Sequence, residues 1–382
     1  MNKSAIGIRA NSSIDYVGGL DGLRAIAVLL VMLRHYTSPF NQVFAHETLA
    51  WRIYQQIANL GWLGVDIFFV ISGFLITKIL MKHPVNTWFS YRQFIIRRVK
   101  RLIPAYVTCL LIFTSIAMLF APGSKVLGNS LSLWTMTSNI QSAFVDRTAL
   151  MDAYFNLVHF WSLAVEWHFY LILPLFVWRF KSMTVTAVLI ILFSFISRVF
   201  LHSLNASDNA FYSFTFCRLD ALAFGCLLAV VHQRVNETQS KMISLLGLLV
   251  FFCLVFQVSH SPVPYKKLPW MQLYGYTLIG LSIAMILIGI VNASIRNPIL
   301  RILELKPMTK VGRASYSLYI WHLVFFPLIA NLAVMFFNFS KAAFICAFVT
   351  ATLLASVCAF LSFKYLECRF YPARPSKLKF GT

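Results

Sequence analysis

The chain has 382 residues, of which 59% are hydrophobic and only 12% charged, and its mean hydropathy is +0.74. A soluble domain carries about 25% charged residues, so composition excludes a water-soluble protein and predicts an all-α integral membrane protein. The net charge of +21 does not point to nucleic acid: most Lys and Arg fall in segments that ten spans with both termini on one side would group together. This is the positive-inside pattern with cytoplasmic termini, and no nucleic-acid-binding motif accompanies it.

Apolar windows long enough to span a bilayer fall at 19–37, 60–80, 102–121, 157–178, 184–202, 211–231, 242–259, 273–292, 315–337 and 342–363. They predict one bundle of about ten transmembrane helices, residues 1–382 forming a single domain with spans from roughly 19 to 363 and short cytoplasmic tails. The longest connection, 122–156, is polar with aromatic patches and predicts a short helix lying on the surface. Lys3 and Arg9 before the first apolar run resemble a signal peptide, but a small-residue cleavage site is missing, so the run reads as a retained first helix. The seven cysteines include no CxxC pair and lie in predicted helices or the tail, which supports neither a disulfide framework nor a zinc site. No His, Cys or carboxylate spacing of ligand type implies a metal.

The first span, "LDGLRAIAVLLVMLRHY", carries Asp21, Arg24, Arg34 and His35. Charges inside a span cost several kcal/mol unless they face a partner or a wet cavity. Arg24 and His35 are eleven residues apart, ~16 Å along a helix, and return to nearly the same face. Asp21 lies one turn below Arg24, so a carboxylate that neutralises Arg24 is expected there, with Arg34 pointing elsewhere. The second span, "GWLGVDIFFVISGFLITKIL", brings Asp66 to about the depth of His35, and Ser72 and Gly73 lie deeper. A buried Asp beside His is a general-base arrangement, so Asp66 is expected to orient His35.

The loop "YRQFIIRRVKRLIP" then packs Arg92, Arg97, Arg98, Lys100 and Arg101 before Pro104. Arg97, Arg98 and Arg101 would form a fork for phosphates if helical. In the fourth span, "HFWSLAVEWHFYLILPL", Ser162, Glu166 and Tyr170 are four apart on one face, with His159 one turn above. Arg198, Arg218, Asp220 and His322 add further inward-facing polar residues.

Each feature also has a plainer reading. His35 alone would be an interfacial residue, and the stripe with Arg24 and Asp21 argues against that. Asp66 equally suits a hydrogen bond between helices. The basic run suits topology or binding of anionic membrane lipid, and Glu166 with Arg198 or Arg218 suits a bundle-locking ion pair. A transporter or flippase also needs polar residues across a bundle, but the internal repeats typical of transporters are not evident.

Five stretches in order, "GLDGLRAIAVLLVMLRHY", "GVDIFFVISGFLITKIL", "RRVKRLIP", "FWSLAVEWHFYLILPL" and "GRASYSLYIWH", resemble the membrane-bound acyltransferase-3 family over nearly the whole chain. The resemblance implies a bacterial inner-membrane enzyme. It would move an acyl group, usually acetyl, from cytoplasmic acyl-CoA to a hydroxyl of a surface glycan such as O-antigen or another polysaccharide, free or lipid-linked. A small-molecule acceptor such as a macrolide is the family's other habit. The family's Arg and His of the first span correspond to Arg24 and His35, its RxxR to Arg98 and Arg101, with Arg97 beside them, and its Glu to Glu166. The chain ends shortly after the tenth span, so it resembles the stand-alone type without an appended esterase-like domain. The implied division of labour puts acetyl-CoA phosphates on Arg97, Arg98 and Arg101 and its arm past Ser72 and Gly73. His35, oriented by Asp66, then acts as base, and Arg24, Ser162 or Tyr170 positions the arm or stabilises the oxyanion. Direct transfer and transfer through an acyl-His35 intermediate are both open.

Overall fold

Gly19 begins the first helix with a backbone that only glycine adopts without strain, at φ 80°. A Cβ at this position would also lie 2.8 Å from the Ile290 side chain. The Gly19 amide donates to Glu304 Oε1 at 2.5 Å, so a carboxylate sits at the positive end of the helix that follows. The computed structural model describes residues 16–44, 48–294 and 296–370; Lys3 and Arg9 lie outside them.

Helix α1 is Leu20–Thr37. An amphipathic helix, α2 (Leu49–Asn59), leads through a single tight turn into α3 (Leu63–Lys82). Leu49, Ile53 and Ile57 are exposed along one face of α2, the spacing of an apolar stripe laid against lipid. Next comes α4 (Trp88–Phe120), 33 residues long and opened by a Thr87–Ser90 capping box. The basic run is therefore not a loop: Arg97, Arg98 and Arg101 lie inside the first half of α4, and Pro104 is inside the helix. Residues 121–159 form a cap of single helical turns and bends, including Lys125–Gly128, Leu131–Trp134 and Arg147–Leu150, rather than one surface helix.

The bundle continues with α5 (Phe160–Phe180), α6 (Met183–Ser203), α7 (Thr215–Val231), α8 (Glu237–Ser259) and α9 (Tyr276–Val291). It closes with the short α10 (Lys306–Arg313), α11 (Ser315–Trp321), α12 (Phe326–Phe337) and α13 (Lys341–Ser362). The expected ninth span is broken: α11 and α12 meet at 58°. Pro327, the second residue of α12, has no amide to continue the ladder from α11, and its ring would clash in a helix interior. Eight helices among the described residues are long and apolar enough to cross a membrane, nine with this bent pair, against the ten expected; α1, with Asp21, Arg24 and Arg34 within 18 residues, is too charged to be among them.

Helix α7 is the centre, packed against α3, α6 and α9. Gly73 and Gly225 permit this approach, because a Cβ on Gly73 would fall 1.8 Å from the Leu222 carbonyl oxygen. Gly73 therefore faces α7 and is not among the cavity's lining residues, whereas its neighbour Ser72, about 100° around the helix, faces into a cavity. Leu245, Leu249, Phe252 and Phe256 of α8 are exposed, an outer surface suited to lipid chains. The start of α1 and the end of the described chain meet at one end of the bundle, where Leu20, Asp21, Glu367 and Cys368 line the same cavity.

Candidate active site

Three cavities follow one another through the bundle. The first, about 110 Å³, lies at the end where the described chain starts and finishes, between Asp21, Arg24, Arg101, Arg313 and Glu367. The second is narrower, about 60 Å³, and takes Arg98, Ser72, Ser162, Glu166 and Tyr170 into its wall. Arg24, Leu75 and Arg101 line both. The third, about 300 Å³, surrounds His35 and shares Val65 and Tyr319 with the second. Arg24 and His35 thus stand at successive stations of one polar path, as their common stripe on α1 predicts. Arg97 lines none of the three, so the expected three-pronged fork reduces, at the cavity wall, to Arg98 and Arg101.

The imidazole of His35 is held by His322, not by Asp66. Nδ1 of His322 lies 2.8 Å from the Tyr319 carbonyl oxygen, which only accepts, so that nitrogen carries the proton. In a neutral ring the other nitrogen is then an acceptor. His322 Nε2 is 2.8 Å from His35 Nδ1, so His35 donates from Nδ1 and keeps its lone pair on Nε2. One backbone carbonyl therefore determines which nitrogen of His35 is basic. The broken helix makes this possible: His322 follows the last residue of α11, and the Tyr36 hydroxyl donates to its carbonyl at 2.8 Å. His159 completes a cluster of three rings, its centroid 4.7 Å from His322 and 6.3 Å from His35. His159 Nε2 donates to the Ile320 carbonyl at 3.1 Å, which fixes its tautomer in the same manner.

Asp66 accepts from Arg218 Nη2 at 2.6 Å, with both side chains about 1% exposed. The expected Asp66–His35 pair does not form, because the carboxylate faces α7. The Arg218 guanidinium also sits 4.3 Å from the Tyr276 ring centroid, a cation–π contact. Arg198 pairs with Asp220 at 2.9 Å and donates to the Leu273 carbonyl. Both interior arginines are thus taken by aspartates, and Glu166 locks neither. Glu166 instead accepts from the Ser72 and Tyr170 hydroxyls, which also touch each other. Asp21 likewise pairs with Arg313, at 3.3 Å, rather than with Arg24. Ser162 meets the Tyr319 hydroxyl at 2.6 Å, where the second and third cavities join.

The third cavity holds residues that sequence patterning passed over. Arg34, expected to point away from the stripe of Arg24 and His35, lines it too and donates to Asn59 at 2.8 Å. Arg147 comes from the cap and Lys266 from the turn before α9. Trp62, Trp161, Tyr212 and Tyr265 supply its aromatic faces. The Lys266 ammonium lies 3.8 Å from the Tyr212 ring centroid. Burial, then Arg147, Arg34 and Arg218, push this ammonium well below the usual lysine range, against a smaller opposing effect of Asp208. Periodicity within a span cannot reveal these contributors from loops, whereas His322 was legible as a further inward-facing polar residue of its span.

The fold and this buried polar path are those of a multi-pass helical membrane protein. Residues 17–362 match the model of the acyltransferase-3 family, described as an acyltransferase domain, and the chain belongs to that family. It is similar to O-acetyltransferase OatA of Staphylococcus aureus strain NCTC 8325 / PS 47, with 27% identity over 377 residues. The match covers 92% of this chain and 57% of the relative. The OatA of strain COL matches with the same figures. The chain therefore spans little more than half the length of these curated relatives. No solved structure matches it.

Proposed function

We propose that this protein is an O-acyltransferase of the bacterial inner membrane that moves acetyl from acetyl-CoA to a hydroxyl of a surface glycan, with its described ends on the cytoplasmic side. The observation that carries the reading is the hydrogen-bond chain from the Tyr319 carbonyl through His322 to His35. It leaves a basic Nε2 at the wall of a cavity wide enough for a sugar, one step along the path from three arginines. The family membership and the names of the S. aureus relatives support the acyl chemistry, and the basic end of the path supports a phosphate-bearing donor.

Arg98, Arg101 and Arg24 bind the donor's phosphates and guide its arm past Ser72 into the narrow middle cavity. The acceptor hydroxyl lies against His35. His35 Nε2 takes its proton as the oxygen attacks the thioester carbonyl, and the imidazolium that forms is stabilised through Nδ1 by His322. Ser162 and Tyr319, at the junction of the cavities, donate to the oxyanion. Collapse breaks the C–S bond, and the departing thiolate takes the proton from His35. General-base assistance of this kind contributes ~10²–10⁴-fold. An acetyl group carried transiently on His35 Nε2 would use the same geometry in two steps.

The test is acetyl-CoA turnover by purified protein in nanodiscs, read as free thiol with a bacterial glycan as acceptor, alongside CoA binding. His35→Ala should abolish turnover and still bind CoA, whereas Arg98→Ala/Arg101→Ala should lose binding. Normal turnover by His35→Ala would overturn the assignment. Movement of a glycan without any thiol release would make the protein a carrier.

A further inference from the structure

We infer that the cavity around His35 binds an anionic acceptor, through a cationic subsite formed by Arg34, Arg147 and Lys266. The inference rests on His35 marking the acceptor end of the path. Three cationic side chains from three separate parts of the chain, α1, the cap after α4 and the turn before α9, converge on this one cavity, and no carboxylate lines it among the described residues. Among the described residues none of the three is ion-paired with an acid. Arg34 has the neutral Asn59, and Arg147 has Asn209 at 3.4 Å and the Tyr212 ring. Lys266 has only the Tyr212 ring face.

Of the acids that stand nearby, Asp66 is paired with Arg218 and Asp146 with Lys125, whereas Asp208 accepts from the neutral Gln272 and acts on Lys266 more weakly than the surrounding arginines do. Topology does not explain the cluster, since positively charged residues gather on the cytoplasmic side and this cavity lies at the opposite end of α1. Concentrated like charge in a partly dry pocket is unfavourable, and an anionic ligand converts that repulsion into binding. The walls suit a sugar, because Trp62, Trp161, Tyr212 and Tyr265 present broad ring faces among the polar groups. The negative charge has two chemical sources, a carboxylate on the acceptor sugar or the diphosphate of a lipid-linked glycan.

Binding, rather than turnover, tests this, so that failure here is separable from failure of the catalytic reading. The wild-type protein in nanodiscs is titrated calorimetrically with methyl glucuronide, methyl glucoside and a short-chain prenyl diphosphoglucose, at low and high salt. We expect one of the two anions to bind about tenfold to a hundredfold more tightly than methyl glucoside, the range of a hydrogen bond to a charged group, and to weaken with salt. Preference for the glucuronide assigns the charge to the sugar, and preference for the diphosphate assigns it to the carrier. Arg147→Gln and Lys266→Gln should each bring the preferred anion towards the affinity of the neutral glycoside, in protein that remains monodisperse with an unchanged unfolding temperature. Equal, salt-independent binding of all three compounds by the wild type would overturn the inference, as would retention of the anion preference in the Arg147→Gln/Lys266→Gln double variant.

Discussion

Replacing Asp66 by Leu should destabilise the bundle rather than disarm its base. The carboxylate is the ion-pair partner of Arg218 at 2.6 Å, in surroundings where each side chain is about 1% exposed. Its loss leaves a guanidinium inside the bundle, with three aromatic rings between 4.3 and 5.9 Å as its remaining support. Removing one partner of a buried pair costs about 3–5 kcal/mol, whereas replacing both by apolar residues of similar volume is often neutral or stabilising. Each cation–π contact offsets about 0.5–2 kcal/mol, but these contacts exist already in the native state and do not grow on mutation. The expected cost of Asp66→Leu is therefore about 3 kcal/mol, and Asp66→Leu/Arg218→Met should recover most of it. Unfolding in a denaturing-detergent titration measures both, with acetyl-CoA turnover on the same samples. If the double variant is no more stable than the single one, the pair is not the lock described here. If the double variant is stable but turns over no faster than His35→Ala, Asp66 belongs to the chemistry after all.

His322→Leu removes the acceptor for His35 Nδ1–H and should lower turnover about a hundredfold, within the usual range of general-base assistance. His322→Gln offers an oxygen near the same place and should recover much of that loss, so equal activities for Leu and Gln would refute the relay. Gly73→Ala puts a methyl group 1.8 Å from the Leu222 carbonyl oxygen, while a Cβ on Gly128 meets nothing within 4 Å. The former should cost about 1–3 kcal/mol and the latter close to nothing, measured as detergent-resistant folded fraction. Because burial and the neighbouring arginines hold Lys266 below the normal lysine range, raising the pH should deprotonate it early. Affinity for an acidic acceptor should then decline well before about pH 10, the region of an unperturbed lysine; a flat titration curve up to that point would refute the role of Lys266. The folded protein also binds this proton less readily than the unfolded chain, so the site costs stability below its own pKa, and that cost is relieved progressively as pH rises from there to the unfolded lysine pKa.

Hydropathy alone was enough to locate the long apolar helices, because a bilayer demands such runs whatever surrounds them. Helical periodicity was enough to put Arg24 and His35 on one face of α1, since both belong to a single rigid element. The stripe of Ser162, Glu166 and Tyr170 was legible for the same reason, and all three line the middle cavity. Depth in the span suggested Asp66 as the partner of His35, but depth carries no information about rotation. The orientation of α3 was decided by its packing on α7, where Gly73 and Gly225 allow backbone contact, and this turned Asp66 to Arg218. Partners chosen across the bundle were equally out of reach: Asp21 found Arg313, Arg198 found Asp220, and His35 found His322 almost 290 residues away. The break at Pro327, which lets a span read as continuous end at His322, acquired its meaning only when α11 met α1 and α5 while α12 packed on α13. Local chemistry along one helix is written in its residue spacing, but which faces meet is a property of the packed whole, and the identity of the group that holds His35 belongs to that second kind.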